Sequence, residues 1–407
     1  MKVIKKDGTL EEYSEQKIIN AINKSAQREN YMFTQNEYST ICNRVLNEID
    51  EEEFDSDEVP VNFIHNIVEK TLLELLPKVG YQYQQYRNYK LDFVHMMDTV
   101  YEESQKIMYI GDKENSNTDS ALVSTKRSLV FNELNKQLYK KFFLTVEERQ
   151  AINDGYIYIH DMSARRDTMN CCLFNVAEVM RGGFEMGNVW YNEPKTLDTA
   201  FDVIGDITLS AASQQYGGFT LPQIDEVLVP YAKKSYEKYK KEFYDITNDL
   251  VDYRYSGYEK TAHDYAIKKV ERDMEQGYQG LEYKFNTVSS SRGDYPFITI
   301  TFGLGTDLFA KMASKTFLRV HREGQGKDGN KKPVLFPKLV FLYTDNLHGE
   351  GMVNEDLFEE GIKTSSKTMY PDWLSLDGDA TVSKMYHKYG KVISPMGKCK
   401  SAHVKRY

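Results

Sequence analysis

The chain opens on short apolar runs among polar residues, Lys2–Ser14, centred on Asp7-Gly8. That dipeptide readily supplies the positive φ angles of a tight turn, so the stretch predicts two strands in a hairpin. The hydrophobic period then becomes helical. Ile18, Ile19, Ala21 and Ile22 follow, and Ile64, Ile67, Val68, Leu72, Leu73, Leu75 and Leu76 recur at helical spacing, each set predicting one apolar face. Up to about Lys90 the pattern is that of a small domain of one hairpin and several helices. Asp112-Lys-Glu-Asn-Ser-Asn-Thr-Asp-Ser120 is polar and turn-rich, which predicts a linker or exposed loop and puts a domain boundary between about 95 and 125.

Beyond that boundary, strand-like runs at Tyr156–Ile159, Phe297–Phe302 and Val334–Tyr343 alternate with long helical patterns, notably Tyr231 to Tyr283, rich in Lys, Glu and Tyr. Such alternation predicts an α/β domain. No repeat of fixed period is visible, which argues against a solenoid. At 407 residues, 41% of them hydrophobic, the chain has room for roughly two or three domains with their own cores.

Charge and cysteine usage narrow the class. A net charge of −9 argues against a large non-specific nucleic-acid surface, while local basic pockets for small phosphates stay compatible with it. The four cysteines (Cys42, Cys171, Cys172, Cys399) are too few and scattered for a disulfide framework, and no C-x-x-C pair offers a zinc site, so a reducing cytoplasm is the expected compartment. Lys2, Lys5 and Lys6 run straight into polar residues, and nowhere do about 18 uncharged apolar residues follow one another, so neither a signal peptide nor a membrane span is expected.

Candidate chemistry begins in the hairpin. Val3-Ile-Lys-Lys-Asp-Gly8, then Glu11, Ser14 and Lys17, puts cations and hydrogen-bonding groups where a strand pair meets a helix start, a place able to hold triphosphate and ribose. The same Lys-Lys-Asp-Gly run also reads as an ordinary exposed turn. Asn170-Cys-Cys-Leu173 follows Tyr156-Ile-Tyr-Ile-His-Asp161 and would set paired thiols just beyond a strand end, although adjacent cysteines also serve as small buried hydrophobes. Ser213, Gln214 and Gln215, followed by Gly217 and Gly218, are candidates for a substrate-facing loop, since adjacent glycines let the backbone approach a ligand closely. Gly324-Gln-Gly-Lys-Asp-Gly329 is a decoy: Lys327 is followed by Asp328 and the glycine spacing is wrong for a P-loop.

Val3-Ile-Lys-Lys-Asp-Gly8, Tyr13-Ser-Glu-Gln-Lys-Ile18, Ile64-His-Asn-Ile-Val-Glu69 and Tyr83-Gln-Gln-Tyr-Arg-Asn88 together resemble an ATP-cone, the regulatory nucleotide-binding domain of many ribonucleotide reductases. The resemblance implies phosphate contacts for Lys5 and Lys6, a nucleoside and phosphate side lined by Glu11, Ser14 and Lys17, and a nucleotide contact for His65, which taken alone reads as a half-buried structural histidine. Further motifs are Ser210-Ala-Ala-Ser-Gln-Gln-Tyr-Gly-Gly218, Asn286-Thr-Val-Ser-Ser-Ser-Arg292, Pro296-Phe-Ile-Thr-Ile-Thr-Phe-Gly303, Phe336-Pro-Lys-Leu-Val340, Met369-Tyr-Pro-Asp372 and Ser394-Pro-Met-Gly397. In this order they resemble the catalytic subunit of anaerobic (class III) ribonucleoside-triphosphate reductase, a glycyl-radical enzyme.

The implied fold is α/β: a mainly helical ATP-cone with a β-hairpin over 1–95, a linker over 96–125, and over 126–407 the N-terminal part of a ten-stranded α/β barrel. The implied reaction replaces a ribose 2′-OH by hydrogen, after a cysteine thiyl radical has taken the 3′ hydrogen. Cys399 is the nearest match to that cysteine, and Cys171 matches the second active-site cysteine, which donates hydrogen on the opposite ribose face. His160, Lys195 and Lys238 fall at positions resembling the specificity-effector site at a dimer interface, although helical lysines are usually just solvated. ATP and dATP, with Mg2+, are the implied effectors, ribonucleoside triphosphates the substrates, and formate, or less often a thiol system, the reductant. The implied partners are a radical-SAM iron–sulfur activase and a second copy in a homodimer.

The pattern departs from the family at its end. The motif Ser-Pro-Met-Gly-Cys-Arg becomes Ser394-Pro-Met-Gly-Lys-Cys-Lys400, so Lys398 is inserted before Cys399, and the sequence stops at Tyr407 where the family continues. The expectation is a truncated reductase without the rest of the barrel, the C-terminal zinc site or the radical glycine, its activity alone in doubt, with the end produced by a frameshift, an interrupting intron or other mobile element, or a split gene whose separate C-terminal fragment supplies the remainder. The competing reading is a non-catalytic ATP/dATP-binding regulatory fragment. A cone-bearing repressor is disfavoured because no zinc ribbon precedes the cone.

Overall fold

A computed structural model describes residues 1–5, 8–52, 54, 57–110, 121–165, 169–247, 257–290, 293–392 and 394. Lys6 and Cys399, two of the sequence candidates, lie outside the described residues. The chain divides into two compact units, Met1–Glu102 and Glu103–Tyr407.

In the first unit β1 (Lys2–Ile4) and β2 (Leu10–Glu12) form the antiparallel hairpin, with Gly8 at φ 79° in its connection. Helices α1 (Glu15–Arg28) and α2 (Gln35–Glu51) follow. Thr34 and Glu37 close a reciprocal capping box at the start of α2, each side chain satisfying a backbone N–H that the helix leaves orphaned. β3 (Glu58–Pro60) pairs parallel to β1 and leads into α3 (Val61–Leu75) and α4 (Pro77–Ile110). Ile18 and Ile22 of α1, Ile41 and Val45 of α2, and Ile64, Ile67, Val68 and Leu72 of α3 converge in one core. Leu75 falls off that face and is exposed. Gly80 lets α4 lie close on α3: a Cβ there would sit 2.7 Å from the Leu73 backbone nitrogen.

α4 corrects part of the linker expectation. Residues 96–110, read as linker, continue the helix, with Met96 and Val100 buried one turn apart. The polar run 111–120 lies outside the described residues.

The second unit begins with α5 (Val123–Phe143) and α6 (Val146–Asn153). The expected strand at Tyr156–Ile159 is absent: Tyr156 and Tyr158 point to solvent, and aromatic alternation without a partner strand to bury it forms no ladder. β4 (Cys172–Leu173), α7 (Val176–Met180), the hairpin β5 (Phe184–Met186) and β6 (Val189–Tyr191), α8 (Leu197–Ser213) and β7 (Phe219–Leu221) come next. The long helical pattern then resolves into α9 (Ile224–Thr247) and α10 (Tyr258–Thr287). β8 (Ile298–Phe302), α11 (Leu308–Glu323), the hairpin β9 (Gln325–Lys327) and β10 (Asn330–Lys332), β11 (Lys338–Tyr343), α12 (Asp345–His348), α13 (Glu355–Thr368), β12 (Asp372–Ser375) and α14 (Thr381–Tyr389) complete it.

Five strands form one parallel sheet in the order β12-β11-β8-β7-β4, half the ten strands expected of the complete barrel. Side chains alternate across it. Phe219, Leu221, Ile298, Ile300, Phe302, Leu339 and Phe341 pack with α8–α11 and α13 in the main core. The opposite face carries Thr220, Thr299 and Thr301, then Val340 and Leu342 beside Leu376, Leu374, Val382 and Tyr386.

Beyond β8 a buried polar knot fixes the chain. The Gly303 N–H donates to Asp225 Oδ2 at 3.0 Å, which also accepts from Ser314 Oγ at 3.0 Å. The Gly303 carbonyl accepts from Asn354 Nδ2 at 3.1 Å and lies 2.9 Å from His348 Nε2. Asp225 is fully buried and its Oδ1 has no hydrogen-bond partner among the described residues, so burial pushes its carboxyl up to about 6.

Candidate functional site

The first unit encloses a cavity of about 610 Å³ lined by the hairpin, α1, α3 and α4. Lys5, Glu11, Ser14, Lys17 and His65 all border it. Glu11 bridges two cations: Lys5 Nζ lies 2.8 Å from its Oε2 and Lys17 Nζ bonds its Oε1. The Lys17 and Lys5 ammonium groups together hold the Glu11 carboxyl below its usual range. Ser14 sits at the N-cap of α1, yet its hydroxyl makes no capping bond, and the positive end of that helix borders the cavity. His65 Nδ1 lies 2.6 Å from the Tyr83 hydroxyl, which burial holds well above its ordinary range.

Sequence reading missed much of the lining. Lys24 from α1 and Tyr83, Tyr86, Arg87 and Lys90 from α4 also face the cavity. Arg28 and Lys90 approach the Tyr86 ring at 5.0 and 6.0 Å, and Arg87 pairs with Glu69 at 2.9 Å. The signal was present in the spacing 83, 86, 87, 90, which is one face of a helix. Five cations (Lys5, Lys17, Lys24, Arg87, Lys90) thus face two lining carboxylates (Glu11, Glu12), beside tyrosine rings suited to a purine.

In the second unit the segment before β4 lies along the turn after α8. Cys172 starts β4 with its side chain toward the helical core, where burial pushes its thiol up. Alternation turns Cys171 toward the other face, the one bearing Thr220 and Thr299. Its Sγ accepts a hydrogen bond from the Gly218 N–H at 3.3 Å. Of the loop candidates, Gln214 is exposed, Ser213 Oγ returns to the Ser210 carbonyl at 2.6 Å, and Gln215 is buried with Nε2 3.4 Å from the Gly218 carbonyl. Ser394, at the start of the Ser-Pro-Met-Gly motif, is buried with Oγ 3.1 Å from Thr301 Oγ1, so that motif begins against β8 on the threonine face. Asn286 is a clamp: its amide oxygen accepts from Leu335 N and Phe336 N, and its Nδ2 donates to the Phe336 carbonyl at 2.5 Å.

A cationic cavity in the first unit and a thiol beside a parallel sheet accord with what comparison with known proteins finds. The family described as anaerobic ribonucleoside-triphosphate reductase matches residues 114–403, and the ATP cone domain matches residues 1–91. The chain belongs to the anaerobic ribonucleoside-triphosphate reductase family. The anaerobic ribonucleoside-triphosphate reductase of Haemophilus influenzae is 32% identical over 412 residues, which cover 98% of this chain and 54% of that protein. That of Enterobacteria phage T4 is 34% identical over 294 residues, 71% of this chain and 45% of the phage protein. The chain therefore spans about half the length of the curated relatives it matches. The solved anaerobic ribonucleotide reductase of Thermotoga maritima, in complex with dATP and CTP, aligns with 70% of this chain and 50% of its own at 16% identity and a TM-score of 0.44, too loose a likeness to place residues.

Within this reductase-family chain the three specificity candidates are spread out. His160 is exposed and pairs with Asp161 at 2.7 Å. Lys195 is exposed just before α8, and Lys238 on α9 lies over the Tyr239 ring at 5.5 Å. The charge of Lys238 acts on Asp198 in the first turn of α8 and on Asp273 of α10, so it and Lys195 border the same helix end. No described contact brings His160 to them. A cavity of about 200 Å³ between Asp198, Asp202, Asp273 and Lys284 lies nearby, and none of the three candidates lines it.

Proposed function

We propose that this chain is the regulatory domain and first barrel half of an anaerobic ribonucleoside-triphosphate reductase, converting ribonucleoside triphosphates to 2′-deoxyribonucleoside triphosphates in the cytoplasm under ATP/dATP control. The observation that carries it is the cavity of the first unit, where Lys5, Lys17, Lys24, Arg87 and Lys90 surround space for a nucleotide. Their excess positive charge suits a triphosphate with its Mg2+, and Tyr86, already gripped by Arg28 and Lys90, offers a face for the base. Glu11, held ionised between two lysines, is an acceptor for a ribose hydroxyl, which dATP lacks at C2′.

In the second unit, Cys171 is the proposed donor of hydrogen to the ribose face opposite Cys399, with the threonine row of β7 and β8 forming the floor beneath. Ser213, Gln214 and Gln215 belong to the turn beside it; only Gln214 offers an exposed side chain for a substrate contact. Lys195 and Lys238 are proposed for the specificity effector at the α8 end, with His160 joining them from a second copy in a homodimer. Formate as reductant, the radical-SAM activase and a separate C-terminal fragment complete the proposal.

Calorimetric titration of the chain with ATP and dATP tests the reading. Saturable binding of both at one class of site, weakened in Lys17→Ala, is the expected result. Heats that do not saturate with either nucleotide would remove the cone assignment.

A further inference from the structure

The pairing between the Asn170-Cys171 segment and the turn after α8 slips by one residue. Met169 pairs with Gln215 and Cys172 with Phe219, so three steps along one strand are matched by four along the other. That is a β-bulge, a device that re-aims a side chain and is frequent beside active sites. The hydrogen bonds show where the extra residue goes. Tyr216 N donates to the Met169 carbonyl at 3.0 Å, and Cys172 N donates to the Gly218 carbonyl at 3.1 Å. In the regular register set by Cys172 and Phe219, the Asn170 carbonyl would be met by Gly218 N; here Gly217 N takes it, one residue early. The Gly218 N–H is thereby left to the Cys171 sulfur, at 3.3 Å.

We propose that Gly217 and Gly218 form a cradle for the Cys171 sulfur, so that these two glycines position the thiol. Gly218 supplies the donor. Gly217 supplies the space: a Cβ there would lie 2.6 Å from Cys171 Sγ, from the Asn170 carbonyl oxygen and from Asn170 Oδ1. The Asn170 carbonyl oxygen is held by the ladder itself and cannot swing away, so the sulfur and the Asn170 side chain would have to move. Neither glycine has a positive φ, so the requirement is steric and not conformational. A sulfur that accepts from Gly218 is held at a fixed point, which suits a thiol that must present S–H to a ribose. That last consequence rests on the reductase reading; the cradle does not.

The test uses the reduced full chain. Iodoacetamide labelling of Cys171, followed by mass spectrometry, is compared in the wild type, in Gly217→Ala and in Gly280→Ala, whose Cβ would meet nothing within 4 Å. Displacing the sulfur from its donor changes the Cys171 rate about two- to tenfold, what one ordinary hydrogen bond is worth, in Gly217→Ala only. Hydrogen exchange at the Gly218 amide gives a second readout that no clash can spoil. Cys171→Ala removes the acceptor and accelerates exchange about two- to tenfold, while Cys171→Ser restores an acceptor and slows it again. Wild-type labelling in a folded Gly217→Ala variant, or Gly218 exchange indifferent to Cys171→Ala, would overturn the cradle. If both results are as expected and a reconstituted enzyme forms no product, the reductase reading falls and the cradle stands.

Discussion

Replacing Asp225 by Asn probes the knot that holds the end of β8, and with it Thr301 and Ser394, in place. Asp225 is fully buried, and its carboxylate receives the Gly303 N–H and the Ser314 hydroxyl. Its rise from the ordinary 3.8 to about 6 makes the ionised form cost about 3 kcal/mol in the folded state, at about 1.4 kcal/mol per pKa unit. The folded state binds this proton more tightly than the unfolded one. Stability from Asp225 is therefore fully present below about pH 4 and lost as pH rises through about 6. An amide has no such dependence and keeps an oxygen to accept both bonds. The assay is urea unfolding of the two proteins from pH 4 to pH 7.5, followed by tryptophan fluorescence. Both tryptophans, Trp190 and Trp373, lie in the second unit, so the signal reports that unit alone. Asp225→Asn should gain on the wild type by about 2 kcal/mol between pH 4 and 6.5, and almost nothing further above that. A difference between the two proteins that is constant across this range would refute the argument.

Lys17→Ala should weaken ATP binding about tenfold or more in a calorimetric titration, since a charge-assisted contact to phosphate is lost while the hairpin and α1 stay folded. Gly80→Ala should destabilise the first unit by about 1–3 kcal/mol in chemical unfolding, because the new Cβ meets the Leu72–Leu73 backbone and not a side chain that can yield. Cys171→Ala should leave ATP titration unchanged and abolish deoxyribonucleotide formation in a reconstituted enzyme; surviving turnover would mean the thiol has another role.

What the sequence made legible was local. The hairpin could be read because Gly8 supplies its turn, and the faces of α1 and α3 because Ile18, Ile22, Ile64, Val68 and Leu72 keep one period. β3 could not: three residues ending in Pro60 carry no alternation, and their partner β1 lies more than fifty residues earlier. Tyr156–Ile159 misled because β-branched and aromatic composition says nothing about whether a neighbouring strand exists. The same division runs through the site. Lys5, Glu11 and Lys17 meet within one hairpin and one helix turn, whereas Lys24, Arg87 and Lys90 join them only through the packing of distant helices. The two glycines after α8 advertised a close approach, and in the structure a sulfur from a segment far earlier in the chain approaches Gly217.

The most direct test of the reductase reading is turnover. Under strict exclusion of oxygen, the chain is combined with the activase, S-adenosylmethionine, formate, ATP and a polypeptide supplying the remaining half of the barrel, and CTP is followed to product. Formation of dCTP that stops with Cys171→Ala and falls when dATP replaces ATP is the predicted result. Saturable nucleotide binding with no dCTP formed would contradict it and leave a nucleotide-sensing protein.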